Sequence, residues 1–164
     1  MPLATAEADA HSLVSAAQDL IHIDDPQTAG LWPRAAALLG RQAIEAAMAD
    51  LWRLSAPGLE DTSAKCQLLC LSHFLGDPDL AGRVHATWHG LTRSCHIQTY
   101  ELAPTAAELE GWLETVWDLA ELVAATLLRT SAHDRVMVDP RTRSGLLVTT
   151  DPGTKEPPSR LPST

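Results

Sequence analysis

The sequence is short of aromatic residues, of cysteine and of basic side chains, and each shortage excludes something. Five Trp, one Tyr and one Phe are its only aromatics. All of them precede residue 118, while the last 34 residues have none and hold five of the eleven Pro. A segment so composed cannot contribute much to a packed core, and DPGTKEPPSRLPST at its end reads as disordered. Three cysteines, at 66, 70 and 95, are an odd number and do not form a disulfide framework, which favours a reducing, cytoplasmic setting. Lys plus Arg number 12 against 21 for Asp plus Glu, a formal charge of -9. Affinity for a phosphate backbone comes mainly from Lys and Arg that release counterions, so broad electrostatic binding of nucleic acid is excluded. No apolar run approaches the roughly 20 residues of a membrane span, and MPLATAEADAHS lacks a basic-then-apolar signal pattern, so no membrane partner is expected. There is no glycine-rich phosphate loop, no Gly-x-Ser-x-Gly elbow and no repeat of solenoid period.

What is present is one domain's worth of helical pattern. A chain of 164 residues buries about two thirds of the surface that its unfolded form exposes. Apolar spacing is helical from end to end of residues 1–130, and no long alternation suggests a sheet. The expected fold is all-α, an antiparallel bundle of four to five helices, with residues 131–164 as a flexible Pro-rich tail. In that tail Val136 to Val138 and Leu146 to Val148 could form short extended pieces. The first helix is expected from about Thr5 to Ile23, ending at Asp24-Asp25-Pro26. The second runs from about Trp32 to Leu54, with Pro33 in its first turn, and the third from about Ser63 to Leu75, closed by Gly76. Asp77-Pro78 supplies an N-cap and a first-turn proline for the fourth, which reaches about Ile97. Thr105 and Glu108 form a capping box for the fifth, which runs to about Thr130. Leu109, Trp112, Leu113, Val116, Ala120, Val123 and Leu127 make its core stripe.

Residues 1–130 hold 17 acids and 7 bases, a balance of -10, against 4 and 5 in the tail. Within that acidic body one helix face differs. On the fourth helix Leu80, Val84, Trp88, Leu91 and Cys95 share an arc of about 80° and form the buried side. His85, His89, Arg93 and His96 share another arc of about 80° on the opposite side, stacked at spacings of four, four and three. Ala81, Gly82, Ala86 and Gly90 lie between them. A solvated face would use Glu and Lys, and would avoid glycines at about 1 kcal/mol each relative to Ala. Small residues at Gly82, Ala86 and Gly90 would let another backbone come close. Histidines beside a fixed positive charge offer proton transfer near neutral pH.

Three readings of this face stand: a partly exposed surface with scattered His, a contact surface carrying a polar site, and a metal site built on His85 and His89. Cys66, Cys70 and His73 also have helical spacing, but structural zinc usually draws its thiolates from short loops, so buried structural thiols are expected there. Neither cluster is a strong metal signal, and no cofactor is expected. On the second helix Arg34, Arg41 and Glu45 lie near one line. Arg41 and Glu45 form either a surface ion pair or a pair that orients the fourth-helix site.

The most distinctive run follows the His face: Leu91, Arg93, Cys95-His96, Tyr100-Glu101-Leu102, Pro104-Thr105 and Glu108-Leu109. It resembles the HEPN superfamily of small helical bundles, found in prokaryotic toxins, phage-defence proteins and CRISPR-associated nucleases. In that superfamily a His near the end of one long helix is followed by a short Tyr- or Pro-containing turn and at once by another long helix. RAAALLGRQAIEAAMADLW is similar to the Ala-rich second helix of many members, so the resemblance spans roughly residues 30 to 128. The catalytic signature of the superfamily is an Arg followed four to six residues later by His, and Arg93 precedes His96 by three. The resemblance implies metal-independent RNA cleavage, with His96 as general acid or base and Arg93 stabilising the charged transition state. His85, His89, Tyr100, Arg41 and Glu45 would support that site. It also implies a homodimer, in which two such pairs meet, and an antitoxin or regulatory protein as partner. The other expectation is a non-catalytic helical interaction module that dimerises or binds a partner protein.

Overall fold

The computed structural model describes residues 9–23, 30–96 and 102–138, the side chains beyond 132 excepted. Among them are five α-helices and no strand: α1 (Ala10–Ile21), α2 (Trp32–Ser55), α3 (Ala64–Phe74), α4 (Pro78–Cys95) and α5 (Ala106–Val138). The all-α bundle follows directly from the helical spacing of the apolar residues. None of the described helices is long and apolar enough to cross a membrane.

Local chemistry sets most of the helix ends. Asp9 caps α1 by accepting from the Ser12 N–H at 2.8 Å, so that helix starts at Ala10 rather than near Thr5. Ser63 caps α3 through Cys66 N. Gly76, at φ 72°, follows the C-cap residue Leu75 in a backbone conformation that a side chain would strain. Asp77 then accepts from Leu80 N at 2.9 Å with Pro78 at the first helical position. The expected capping box opens α5: Glu108 N donates to Thr105 Oγ1 at 3.2 Å, and Thr105 N donates to Glu108 Oε2 at 2.8 Å. α5 continues to Val138 instead of ending near Thr130. Val136 to Val138 are therefore helical, not extended, because neither Gly nor Pro interrupts the chain between Gly111 and Pro140.

The chain divides into two compact units after Arg129. Of the second, the described part is the end of α5. In the first, α2 is the central element, with α1, α3 and α4 all packed against it. Ile44, Met48 and Trp52 of α2 meet Val14, Leu71, Val84, Leu91, Leu109, Leu113 and Val116 in a core from which water is excluded. The expected stripe of α5 is buried from Leu109 to Val123, with Trp112 and Leu127 half-buried. α2 and α5 cross closely at Gly40, where an added Cβ would lie 2.8 Å from Leu113 Cδ2. α1 meets α5 through His11, whose Nε2 is 3.1 Å from Glu121 Oε1 and whose ring stands edge-on to Trp117.

A polar knot ties α2, α3 and the loop between them. Gln67, 7% exposed, accepts from Trp52 Nε1 at 3.0 Å and donates to the carbonyls of Glu60 and Thr62 at 3.0 and 2.9 Å. Trp52 also stands edge-on to Phe74. Buried polar groups persist where every one is partnered, and this side chain satisfies the indole and two loop carbonyls at once.

Candidate functional site

Three helix ends converge on one cleft of about 590 Å³. The first turn of α2 contributes Arg34, the last turn of α4 contributes Arg93 with the C-cap residue His96, and the start of α5 contributes Thr105, Glu108 and Trp112. Of the expected catalytic pair, both members line this cleft.

His96 does not stack on Arg93 along one helix face. α4 ends at Cys95, and His96 is extended at φ -91° and ψ 137°, its N–H donating to the Arg93 carbonyl at 3.2 Å. Ser94, on the same turn, donates its hydroxyl to the Gly90 carbonyl. The helix was expected to carry His96 on to Ile97. It ends at Cys95, and His96 shares the cleft with the start of α5.

The electrostatics of the cleft differ from those of the body. Among the described residues Glu108 is the one acid that lines it, and that carboxylate accepts from both the backbone N–H and the hydroxyl of Thr105 at 2.8 Å. Those bonds hold the Glu108 carboxyl below its ordinary pKa, the backbone bond most of all. Two guanidinium groups against one carboxylate leave the described lining at a formal +1 with His96 neutral, inside a body of -10.

His85 and His89 lie farther back on α4. Their rings touch edge to face at 4.7 Å between centroids, and His89 stands against Trp88 in the same way. Neither is among the residues that line the cleft. Among the described residues no three His, Cys, Asp or Glu side chains converge as a metal site requires. Cys66 and His73 are exposed and Cys70 is half-buried, so the expectation of buried structural thiols fails at Cys66, which faces outward beside exposed Leu69.

Arg41 and Glu45 form the expected i,i+4 pair, with Arg41 Nε 3.3 Å from Glu45 Oε1. The angle makes that contact electrostatic, since Arg41 Nε is shielded from water without a hydrogen-bond partner. Glu45 also accepts from Trp88 Nε1 at 3.3 Å, so the pair braces α4 against α2 instead of standing on open surface. Cys95 lies beside it, and burial pushes that thiol above its ordinary pKa, Arg41 acting in the opposite sense.

Gly82 and Ala86 are exposed on α4 in line with His89 and Arg93. Gly90 is not on that strip. It is buried, and a Cβ there would sit 2.8 Å from Trp112 Cζ2. Its small size serves the packing of α4 on α5 within the chain, so it leaves the expected contact surface. Tyr100 lies outside the described residues.

Compared with protein-family models, with curated proteins and with solved structures, the chain matches none. Four members of the cleft are not site candidates in the sequence: Thr105 and Glu108 read there only as a helix cap, and Arg34 and Trp112 stand elsewhere. Arg34 had a signal, a cation in a helix first turn that carries no acid. Trp112 was assigned to the core stripe, and its half-burial against Gly90 leaves the indole free to line the cleft.

Proposed function

We propose that this protein is a HEPN-like, metal-independent endoribonuclease that works as a homodimer, with Arg93 and His96 at the reacting phosphate. One observation carries the reading: Arg93 and His96 line the same cleft, and that cleft gathers positive charge in an otherwise acidic body. Imidazole is the side chain suited to exchanging protons near neutrality. In this mechanism one His96 removes the proton from a ribose 2′-hydroxyl, and the oxygen attacks the adjacent phosphorus. The bond to the 5′-oxygen breaks, a second His96 from the other protomer protonates that oxygen, and a 2′,3′-cyclic phosphate and a 5′-hydroxyl are left. Arg93 offsets the extra negative charge on the phosphate oxygens as the transition state forms. The exposed strip of Gly82, Ala86, His89 and Arg93 supports the assembly, because small residues let two α4 helices approach. The resemblance places such an enzyme among toxin–antitoxin or phage-defence proteins, with an antitoxin or regulatory protein as its neutralising partner.

Incubation of the full chain with labelled RNA, with and without EDTA, tests the reading. Cleavage is expected to survive chelation and to fall by about 10²- to 10⁴-fold in His96→Ala, the usual worth of one general acid or base. Ala86→Glu is expected to elute as a monomer on size-exclusion chromatography. Absence of cleavage by a dimeric wild type would refute the nuclease and leave the interaction module, which the same strip of small residues favours. Loss of cleavage on chelation would turn attention to His85 and His89 as metal ligands.

A further inference from the structure

The described arginine side chains fall into two groups. Arg41 pairs with Glu45, Arg53 with Asp50 and Arg83 with Asp118, while Arg129 donates to the Thr126 hydroxyl. Among the described residues no carboxylate lies within ion-pair distance of Arg34 or Arg93, and both line the same cleft.

Arg34 is also badly placed for stability. It is the third residue of α2, whose first turn carries no acid and whose N-cap residue, Leu31, offers no capping side chain. The N-terminal end of a helix is its positive end, where a cation is disfavoured and an anion is welcome. Arg34 is half-buried there rather than extended into solvent. An anion in the cleft would relieve both conflicts, meeting two guanidinium groups and the positive end of α2 together. The volume, about 590 Å³, falls within the roughly 300–1,000 Å³ of pockets that enclose small ligands, so more than a single phosphate fits.

We propose that Arg34 is a phosphate-binding residue that sets substrate specificity: within one protomer it holds the RNA phosphate next to the one at Arg93 and His96. The proposal rests on the ribonuclease reading and adds a requirement to it. Productive binding needs a phosphate flanking the scissile one, so a dinucleoside monophosphate is a poor substrate and a chain one nucleotide longer is a good one. Arg34 touches no bond that breaks. It acts on binding, and its loss raises KM far more than it lowers kcat.

Two measurements on the full-length chain test this. In the first, a fluorescein-labelled 2′-O-methyl RNA hexamer, which cannot be cleaved, is titrated by anisotropy at several salt concentrations. Arg34→Gln is expected to weaken binding about tenfold or more, the effect of one charge-assisted hydrogen bond. It should also lower the slope of log affinity against log salt by about 0.7, the value of one phosphate contact on a single strand. Arg34→Lys should keep the slope, and Arg53→Gln, about 28 Å along the same helix, should change neither quantity. In the second, KM and kcat are compared for the two substrate lengths, and Arg34→Gln should erase the preference for the longer one. A thermal melt of Arg34→Gln no lower than that of wild type excludes a merely structural role.

Equal affinity and slope in Arg34→Gln overturns the proposal even where wild type cleaves RNA. Weakened binding in that variant, beside a wild type that binds but does not cleave, sustains the phosphate site and removes the nuclease. A wild type that does not bind the hexamer refutes both.

Discussion

Replacing Gln67 by Leu tests the polar knot under Trp52, because the two side chains are close in size and differ in what they can bond. The substitution removes the acceptor of the Trp52 indole N–H and the donor of two loop carbonyls. The three groups left behind are not equivalent. Trp52 is fully buried, so its N–H has no path to water and its stranding costs about 1–3 kcal/mol. The carbonyls of Glu60 and Thr62 belong to a loop at the surface and can take water instead, a net loss of about 0.5–1 kcal/mol each. Leucine returns about 1 kcal/mol through its added apolar surface. The expected loss is about 1–4 kcal/mol, a fall in Tm of roughly 3–15 °C for a folded body of this size. Urea denaturation followed by circular dichroism at fixed protein concentration measures it without relying on tryptophan emission. Trp52→Phe removes the same N–H from the other side. The double variant should therefore lose less than the sum of the single losses, by about 1–3 kcal/mol. A Gln67→Leu loss below about 1 kcal/mol, or single losses that add to within about 0.5 kcal/mol, would refute the assignment of Gln67 as the partner that makes a buried indole tolerable.

Two further outcomes follow from particular contacts. Gly82→Ala meets open space and should raise stability by just under about 1 kcal/mol through helix propensity. Gly40→Ala places a Cβ 2.8 Å from Leu113 Cδ2 and 3.3 Å from Leu91 Cδ1, where overpacking of about 1–3 kcal/mol outweighs that gain. Matching shifts of Tm in the two variants would contradict the close crossing of α2 and α5. The Glu108 carboxylate is held below its ordinary value of 4.5 by the Thr105 bonds, so its stabilising effect is complete above that value and is lost as pH falls through the lower folded-state pKa. Denaturation of wild type and Glu108→Gln across pH 2.5–7 should show a constant gap in the upper range that shrinks at the acidic end, and a gap independent of pH would remove Glu108 from the capping box.

Much of the scaffold was legible because its signals are local. Asp77-Pro78, Gly76 and the Thr105–Glu108 box each act within three residues, and all three stand where the sequence puts them. The buried stripe of α5 needed only a period. The site depends on relations that no local rule contains. Arg93 and His96 stand out as a pair, but nothing local to Cys95 signals that α4 ends there and leaves His96 extended. Arg34 could be aligned with Arg41, yet which helix ends meet the start of α2 is decided by the packing of α4 and α5. Gly90 was grouped with Gly82 and Ala86 by size alone. It lies about 100° round the helix from His89, far enough to turn it inward under an indole that belongs to another helix. Cys66 failed for the converse reason: helical spacing says which residues share a face, not whether that face is covered.

The cleft is walled by the ends of helices and the core by the middle of α2, and the two should respond to hydrogen exchange on different clocks. The first amides and last carbonyls of a helix lack partners within it, and the terminal turns open locally at a small fraction of the global unfolding free energy. Around Ile44 and Met48, fully buried in the middle of α2 and about 15–21 Å along it from Arg34, amides exchange only when the whole domain opens. A ligand in the cleft would therefore write its signature at the first turns of α2 and α5 and the last turn of α4, as slowed exchange confined to three short peptides. The centre of the bundle would stay silent, and the occupied site could be mapped without knowing in advance what occupies it.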